Sequence, residues 1–365
     1  MQRRHERSRL PGQRDPAGRR SAVSGLRGVP DAMTATQSRC AAASTARWPA
    51  LAALAPTAPM RAALAATLFA FAAFAMAAPP SPQSPPASKD SGAQIGVLTL
   101  NLWHDKGDWP KRRALIVEEI QRLKPDLIAL QEVLQRPGLR NQAEDLAEAT
   151  GYHVRFVSVD PPQAERRYGN AILSKDPTMT RDMRKLEPLN DYRTAAYARF
   201  VFDSLHNGVA FYATHLHNEP DGGAIRQRQI ASLLDFIDGT SPPHDTLDGT
   251  RPPSEVIVAG DFNSDADSPE LKALAARYRD AYAQAHPDLA KDAARSTTLN
   301  PAYLPAQRID HVFYDPAGFD LLEARIVLNQ PRDGIWASDH FGLYVRLRPI
   351  SGFRSLRHRT DISPP

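Results

Sequence analysis

The stretch EVIVAGDFNSDADSPE, residues 255–270, joins an apolar run directly to a cluster of acidic side chains. The four residues from Val256 to Ala259 predict the end of a buried β-strand. The polar residues that follow the run are Asp261, Asn263, Asp265 and Asp267. Such a patch is either a polar turn after a strand or the lining of a site for a positively charged group.

Apolar stretches on both sides of this run predict a protein in which strands outnumber helices. Strands are predicted at 95–103, 126–133, 153–159, 170–175, 309–314, 322–328 and 341–347. The segments YARFVF and GVAFYATHL are predicted to pair as a hairpin around Asn207-Gly208. Amphipathic helices are predicted at 108–124 and 224–237, each between strands. Two sheets packed face to face, with helices outside, would bury all these apolar faces, so the predicted class is α+β.

The charge of the 365-residue chain is distributed so unevenly that its net charge of +4 is misleading. Residues 1–77 contain eleven Arg, no Lys and three acids, a balance of +8, which leaves +4 − 8 = −4 for residues 78–365. This mildly acidic part gives no electrostatic evidence for nucleic-acid binding. The only cysteine is Cys40, so residues 78–365 have no disulfide, zinc-thiolate site or cysteine nucleophile.

The beginning of the chain has the composition of a leader. Residues 1–59 are rich in Arg, Ala, Ser and Pro, and we expect them to be disordered or to precede a true translation start at Met60. Residues 60–77 combine a short basic start, an apolar centre and small residues before Ala78, which is the pattern of a signal peptide. An uncleaved membrane anchor is the alternative. We therefore expect export to the periplasm or the cell exterior, or attachment to the membrane.

The remaining sequence divides into a linker, a globular region and a tail. Residues 78–93 are rich in Pro and Ser and are predicted to be an extended linker. Residues 94–348 carry all the predicted strands and helices. Residues 349–365 are basic, end in Pro-Pro and are predicted to be a disordered tail.

Polar side chains lie at the ends of several predicted strands, where they can converge at one edge of a sandwich. These residues are Asn101, Glu132, His215, Asp261, Asn263, Asp310, Asp339 and His340. They offer carboxylates, amides and imidazoles but no thiol, which suits a hard cation such as Mg²⁺ or Mn²⁺. A hard cation with Asp and His nearby suits attack of water on a phosphate ester. Asp310 lies in an apolar strand, so its carboxylate needs a partner, and we expect a histidine.

Each of these residues also has an ordinary structural interpretation when it is taken alone. Glu132 could cap a turn, His215 could bond to the backbone, and His340 could belong to a polar turn. The segment GDFNS is compatible with an Asx-turn. Three tryptophans near these segments could line an apolar rim of the site or be ordinary half-buried residues: Trp103, Trp109 and Trp336.

Seven short motifs occur in the order in which they are found in one enzyme superfamily. They are TLNLW, ALQEV, YGNAIL, THL, GDFNS, RIDHVF and SDHFGLYV, and they extend over about residues 94–348. In this order the motifs resemble the endonuclease/exonuclease/phosphatase superfamily of metal-dependent phosphodiesterases, which includes deoxyribonucleases and neutral sphingomyelinases. The resemblance implies a four-layer α/β/β/α sandwich of two packed mixed β-sheets, in agreement with the α+β class.

The resemblance implies a metal site and a positioned water molecule at matching residues of this chain. Glu132 corresponds to the principal metal ligand, with Asn101 and Asp339 beside it, and the expected ion is Mg²⁺ or Mn²⁺. Asp261 corresponds to the carboxylate that orients or deprotonates the attacking water. Asn263 corresponds to its neighbour, which holds water and phosphate.

The resemblance also implies a group of residues around the phosphate. His340 corresponds to the imidazole that contacts the phosphate, and Asp310 to the carboxylate that keeps this imidazole protonated and oriented. His215 corresponds to a second phosphate-binding histidine, and Asn170 to an amide that positions the site. Two residues one helical turn apart are expected to brace this edge: Arg226 and Gln229.

The expected function is therefore that of an exported, divalent-metal-dependent hydrolase of phosphate esters, in the first place a phosphodiesterase. Water is expected to attack directly, because no nucleophilic side chain is evident.

Two substrates stay open: nucleic acid, as for an extracellular nuclease, and phospholipid, as for a sphingomyelinase, which would allow a peripheral membrane or anchor contact. No aromatic platform for long nucleic acids and no protein partner is evident in the sequence. The segment QRIDHVF lacks the Cys-Asp-Arg signature of inositol polyphosphate 5-phosphatases. An inactive relative that serves as a binding module is a minor alternative, against which the complete residue set argues.

Overall fold

The computed structural model describes residues 94–201, 208–241 and 255–350. The chain divides into two units, Met1–Pro80 and Ser81–Pro365, and every described residue belongs to the second. The predicted extension, signal peptide and linker lie outside the described residues, as do Asn207 of the predicted hairpin and residues 351–365 of the predicted tail. Among the described residues, no helix is both long and apolar enough to cross a membrane.

The described residues contain the predicted strands and helices, with bounds that differ by a few residues. The strands are β1 (Ile95–Asn101), β2 (Leu127–Gln135), β3 (His153–Ser158), β4 (Arg167–Ser174), β5 (Thr180–Lys185), β6 (Thr194–Phe200), β7 (Val209–His215), β8 (Glu255–Asp261), β9 (Arg279–Asp280), β10 (Asp310–Tyr314), β11 (Phe319–Val327) and β12 (Gly342–Pro349). The helices are α1 (Trp109–Leu123), α2 (Gln142–Thr150), α3 (Gly223–Thr240) and the short α4 (Lys272–Ala275), α5 (Ala281–Ala285) and α6 (Ala293–Ser296). Single 3₁₀ turns occupy Pro269–Leu271 and Leu289–Lys291.

The strands form two six-stranded sheets. The first has the order β11-β12-β1-β2-β4-β3, and the second has the order β5-β6-β7-β8-β10-β9. Both sheets are mixed, because β1 pairs with β2 and β7 with β8 in parallel, whereas the other neighbouring strands are antiparallel. The prediction of two packed mixed sheets is confirmed.

Alternation of side chains along the central strands explains why helices cover the outer faces of both sheets. In β8, Ile257 and Ala259 belong to the core between the sheets. Val256 and Val258 point the other way and pack with Leu233 of α3. β1 alternates in the same manner, and its outward residues pack against α1 and α2. The layers are therefore α/β/β/α, as the motifs imply.

Several elements are missing from the sequence-based prediction, among them α2, β5 and β9. The side chain of Asn141 caps α2 by accepting hydrogen bonds from the backbone N–H groups of Ala143 and Glu144. This helix ends at Gly151, which has a φ of 77°. Leu146 is its only large apolar buried residue, so its apolar periodicity is weak. β5 is an exposed, charged edge strand, and β9 has two residues.

Candidate active site

Four strands place polar side chains at one edge of the space between the two sheets. Asn101 ends β1, His215 ends β7 and Asp261 ends β8, whereas the antiparallel β10 begins with Asp310. Asp261 is paired in register with both His215 and Asp310. Ala259, two residues before Asp261, belongs to the core between the sheets, so strand alternation directs Asp261 into the same space.

Gly260 allows β8 to lie close to β7 immediately before Asp261. Its φ is 155°, and a Cβ atom there would lie 2.0 Å from the carbonyl oxygen of Thr214. Any other residue would push the two strands apart. Gly260 thus fixes the position of Asp261.

Asp261 is 1% exposed and is held by hydrogen bonds to both carboxylate oxygens. Asn101 Nδ2 donates to Oδ2 at 3.0 Å, and the backbone N–H of Asn263 donates to Oδ1 at 3.0 Å. Burial and the negative charge of Asp310 raise the pKa of Asp261, although His340 and the two hydrogen bonds oppose the shift. The carboxylate is therefore fixed in place and has an increased affinity for a proton.

His340 contacts Asp310 and is therefore the histidine partner expected for the Asp310 carboxylate. The distance from His340 Nδ1 to Asp310 Oδ2 is 2.8 Å, and both side chains are buried. The other ring nitrogen, Nε2, lies 3.8 Å from Asp261 Oδ2. Burial alone would lower the pKa of His340, but Asp310, Asp261 and Asp339 outweigh it and raise that pKa above its ordinary range. The site therefore holds an imidazolium at neutral pH.

His215 differs from His340 in its charge. Its Nε2 lies 3.4 Å from Asp261 Oδ2, and its Nδ1 is buried without a hydrogen-bond partner. Burial and the positive charges of Arg193 and His340 lower the pKa of His215 well below its ordinary value. The neutral form of His215 is therefore favoured, and in that form its ring can still exchange a hydrogen bond with a neighbouring group.

Glu132, Asp339 and Asn101 are the predicted metal ligands. The pairing of β2 with β4 shifts register between Leu130 and Val133, and Glu132 in this bulge has a φ of 54°. Bulges of this kind redirect a side chain next to a functional site. Burial raises the pKa of Asp339 to about 6, with His340 opposing the shift and Glu132 adding to it.

This donor set fits a divalent cation. Glu132 and Asp339 supply carboxylate oxygens, and Asn101 supplies an amide oxygen that also accepts from the backbone N–H of Trp103 at 3.0 Å. Ser338 Oγ donates to the Asn101 carbonyl at 2.7 Å and lies 3.2 Å from Asp339 Oδ1, which links the two ligand segments. All three donors are oxygens, the type that Mg²⁺ and Mn²⁺ prefer.

A second acidic group has potential ligand atoms within 4.8 Å of one another: Asp261, Asp310 and His340. In this group His340 Nδ1 is already bonded to Asp310, and an imidazolium has no free lone pair for a metal. The cation at Glu132, Asp339 and Asn101 and the acid–base role of Asp261 and His340 both stay predictions.

Asn170 and Asn263 lie at the border of the site, where each side chain donates a hydrogen bond to a backbone carbonyl oxygen. Asn170 on β4 donates from Nδ2 to the carbonyl oxygen of Thr194 at 3.0 Å, which joins the first sheet to β6 of the second. Asn263 has a φ of 49° and donates from Nδ2 to the carbonyl oxygen of Leu216 at 2.9 Å. Their predicted roles toward water and phosphate stay predictions.

Arg226 and Gln229 lie on α3, behind the loop that follows His215. Arg226 donates to the carbonyl oxygen of Glu219 at 2.7 Å and pairs with Glu270 at 3.1 Å. Gln229 accepts from the backbone N–H of His217 at 2.8 Å. They fix the loop and do not contact Asp261 or His340 through any described hydrogen bond.

Two residues near the site are absent from the sequence-based prediction. Arg193 is 3% exposed and donates to Asn218 Oδ1 at 2.9 Å, and no described carboxylate forms an ion pair with it. Tyr168 lines a cavity together with Glu132, and burial and the negative charge of Glu132 raise the pKa of its hydroxyl. Tyr168 lies within the motif YGNAIL and could have been noticed there. Arg193 has no such signal, because burial of a single arginine cannot be read from its neighbours.

Comparisons with known proteins identify the family and the fold of this chain. The sequence model of the Endonuclease/Exonuclease/phosphatase family matches residues 98–340. The human Nocturnin catalytic domain with bound sulfate is 19% identical, with 70% of this chain and 95% of that chain covered and a TM-score of 0.57. TDP2 of D. rerio, in complex with a single-strand DNA product, is 18% identical, with 70% and 99% covered and a TM-score of 0.56.

A third structure similar to this chain is the mannosyl-6-phosphatase of Bacteroides thetaiotaomicron. It is 19% identical, with 69% of this chain and 99% of that chain covered and a TM-score of 0.54. No curated protein matches the sequence. At these identities the three structures establish the common fold.

Proposed function

The chain belongs to the endonuclease/exonuclease/phosphatase family of phosphate-ester hydrolases, and we propose that it is an exported, divalent-metal-dependent phosphodiesterase. The observation that carries this proposal is the buried contact of Asp310 with His340, whose second ring nitrogen faces Asp261 at 3.8 Å. A fixed carboxylate and an imidazolium therefore border the same space, as hydrolysis of an anionic ester requires.

Asp261 supplies the base. Its raised pKa brings a carboxylate closer to neutrality, where a general base is most effective. Water attacks phosphorus, Asp261 takes one proton from that water, and the bond from phosphorus to the leaving oxygen breaks. The leaving oxygen then takes up a proton from solvent. The backbone N–H of Asn263 and the amide of Asn101 keep the base aimed throughout.

His340 offsets the charge on the phosphoryl oxygens. Because Asp310 holds Nδ1, Nε2 is the nitrogen that can donate to the substrate. The neutral His215 can add a further hydrogen bond, and the buried guanidinium of Arg193 adds positive charge nearby. A cation held by Glu132, Asp339 and Asn101 would neutralise charge on the phosphate.

Direct attack by water fits the residues available. The described residues include no cysteine, because Cys40 lies outside them. Ser338 is occupied by its bonds to Asn101 and Asp339, which leaves it poorly placed as a nucleophile. The complete set of acid, base and cation-binding residues also supports an enzyme over an inactive binding module. The proposal of export rests on the signal-peptide pattern at residues 60–77.

Hydrolysis of bis(p-nitrophenyl) phosphate tests this proposal. We expect turnover with Mg²⁺ or Mn²⁺, loss of turnover in EDTA, and recovery when the metal is added back. Comparison with p-nitrophenyl phosphate separates a diesterase from a monoesterase, the activity named for the Bacteroides structure. Well-folded protein that shows no metal-dependent hydrolysis of the diester would contradict the proposal.

A further inference from the structure

Two pairs of aromatic rings lie at the site end of the sandwich. In the first pair, the ring centroids of Trp103 and Tyr303 are 4.8 Å apart. In the second pair, those of Tyr168 and Tyr192 are 6.0 Å apart. One ring of each pair is open to solvent, since Tyr303 is 48% exposed and Tyr192 is 49% exposed. The sequence gives no sign of these pairs, because their members are separated by 24 to 200 positions.

The two pairs flank the candidate active site along the sheets. Trp103 follows β1, and Tyr303 lies between α6 and β10, next to Asn300, which bonds to the backbone of both Tyr303 and Asp339. Tyr168 is on β4, and Tyr192 precedes β6. In the two sheets, β2, β7 and β8 lie between these positions and carry Glu132, His215 and Asp261. A chain crossing the site would thus meet one exposed tyrosine on each side.

A guanidinium supports each pair. Arg112 lies 5.4 Å from the Trp103 ring and is itself fixed by hydrogen bonds to the carbonyl oxygens of Leu102 and Ala337 at 2.8 Å. Arg193 lies 4.6 Å from the Tyr192 ring. Rings held in this way lose little conformational entropy when a ligand stacks on them.

The second pair also borders a cavity of about 440 Å³ that reaches the predicted metal ligand Glu132. Its lining includes His104, Tyr168 and Tyr192 and has Val159 as its only aliphatic residue. Arg166 lines the cavity as well and forms no ion pair with any described residue. The cavity therefore offers ring faces and the Arg166 guanidinium beside the carboxylates of Glu132 and Asp160. The ring faces suit a planar base, and the guanidinium suits the phosphate attached to it.

Resting on the phosphodiesterase activity proposed above, we propose that the substrate is a single-stranded nucleic acid whose bases stack on Tyr303 and Tyr192 on either side of the scissile phosphate. Every base has a ring face for such stacking, so the contact requires no particular sequence. In a duplex those faces are covered by neighbouring base pairs. Single strands are therefore preferred over duplexes.

The distribution of exposed apolar residues disfavours a phospholipid. Of the exposed large hydrophobic residues, Leu189, Tyr192 and Tyr303 are at the site end. The others lie toward the opposite ends of their strands or away from the site: Met179, Val201, Leu322 and Ile350. A lipid with two acyl chains needs a continuous apolar surface beside the site, and the described residues do not provide one.

Binding measured in EDTA tests the inference without turnover. The probes are a fluorescein-labelled single-stranded thymidine decamer, a decamer of the same backbone without bases, the corresponding duplex, and vesicles of sphingomyelin with phosphatidylcholine. We expect the thymidine decamer to bind on the order of tenfold more tightly than the base-free decamer. Tyr192→Ala and Tyr303→Ala should each weaken its binding by a similar factor, and Tyr192→Phe and Tyr303→Phe should restore most of the loss. The control variant Leu322→Ala should bind as the wild type does.

Equal affinity for the two decamers, or binding of the vesicles with no preference for the thymidine decamer, would overturn the inference. Wild-type affinity for the thymidine decamer in both Tyr192→Ala and Tyr303→Ala would overturn it as well. These outcomes are distinct from failure of the proposed function, which is read from hydrolysis of bis(p-nitrophenyl) phosphate. If the protein hydrolyses this diester but binds the two decamers with equal affinity, the proposed activity stands and the proposed substrate is wrong.

Discussion

Two buried carboxylate–imidazole pairs lie on opposite faces of β10, and only one of them borders the candidate active site. Asp310 points between the sheets to His340, with 2.8 Å between Oδ2 and Nδ1. His311, the next residue, points to the other face and lies 3.0 Å from Asp280 through the same kinds of atoms. Alternation along the strand explains this arrangement. The local chemistry of the two pairs is almost the same, so their surroundings decide their roles.

The pair on the outer face, Asp280 with His311, is closed, which means that both ring nitrogens already have partners. Arg308 Nη1 lies 2.7 Å from Asp280 Oδ2 and 2.8 Å from His311 Nδ1. Nε2 donates to the carbonyl oxygen of Ser264 at 2.9 Å, and Nδ1 lies within hydrogen-bond distance of both the Arg308 guanidinium and the Asp280 carboxylate. Both ring nitrogens are occupied, so this pair has no capacity left for a ligand.

The pair between the sheets, Asp310 with His340, is open, which means that some of its polar atoms have no hydrogen-bond partner. Asp310 Oδ1 is buried without a hydrogen-bond partner, and His340 Nε2 faces Asp261 without bonding to it. Among the described residues, no guanidinium forms an ion pair with Asp310. A third, permanently charged group thus makes the outer Asp–His pair structural, whereas the pair between the sheets lacks such a described partner and can contact a substrate.

The strongest test of this contrast removes the base that the open pair faces. Asp261→Asn should reduce kcat for bis(p-nitrophenyl) phosphate by about 10³-fold, because the amide cannot take a proton from water. The protein should stay folded, since an amide of the same shape can retain the hydrogen bond from Asn263. Steady-state kinetics with circular dichroism on the same preparation measures both. The exposed Asp267→Asn is the matched control, and near-normal turnover in Asp261→Asn would refute the assigned role.

The next largest effect is on stability and concerns the closed pair. Asp280→Asn leaves Arg308 buried without its carboxylate, so the free energy of unfolding should fall by about 3 kcal/mol. Urea denaturation measures this loss. The exposed pair Arg277–Asp238 supplies the control, because Asp238→Asn should lower the free energy of unfolding by less than about 1 kcal/mol. A wild-type urea midpoint in Asp280→Asn would show that the closed pair is not structural.

Arg193 extends the contrast, since it is a buried guanidinium that forms no ion pair with any carboxylate of the described ranges. Arg193→Leu should raise KM for the diester on the order of tenfold, because a positive charge near the phosphate is lost. Its loss of stability should be smaller than that of Asp280→Asn, because no buried charge is left behind. Kinetics and urea denaturation test the two statements, with Arg346→Leu as a control on the exposed side of β12. An unchanged KM would remove Arg193 from the site.

The smallest expected effect is the pH dependence of the folding stability that the closed pair contributes. Burial alone would raise the pKa of Asp280, but His311 and Arg308 outweigh it and lower that pKa well below its ordinary value of 3.8. A lowered pKa means that the ionised pair stabilises the folded state above the unfolded value and that this stabilisation is lost as the pH falls toward the folded value. The difference in urea stability between wild type and Asp280→Asn should be constant above about pH 5 and shrink below about pH 4. A difference that grows on acidification would contradict this account.

Sequence alone predicts the residues whose positions follow from strand alternation. Asn101, Asp261 and Asp310 lie at the ends of apolar strands, so an alternating pattern and two packed sheets are enough to bring them together. The direction of Glu132 depends instead on a bulge, which the pattern of apolar residues does not reveal.

Contacts between distant segments could not be predicted in this way. Asp280 lies in a two-residue strand and meets Arg308 and His311 across about thirty positions of sequence. The burial of Arg193 and the pairing of Trp103 with Tyr303 likewise depend on how loops fold over the sheet ends. Periodicity describes single elements, and these features arise between elements.

The most direct test of the two roles compares His340→Gln with His311→Gln in one experiment. Glutamine keeps a donor near the place of Nε2, so the hydrogen bond from position 311 to the Ser264 carbonyl can persist. We predict that His340→Gln loses at least about 10²-fold in kcat per folded molecule, because the imidazolium is gone. His311→Gln should keep a wild-type kcat per folded molecule and show a lower urea midpoint. Equal loss of kcat in the two variants, or normal turnover in His340→Gln, would contradict the assignment of one pair to catalysis and the other to structure.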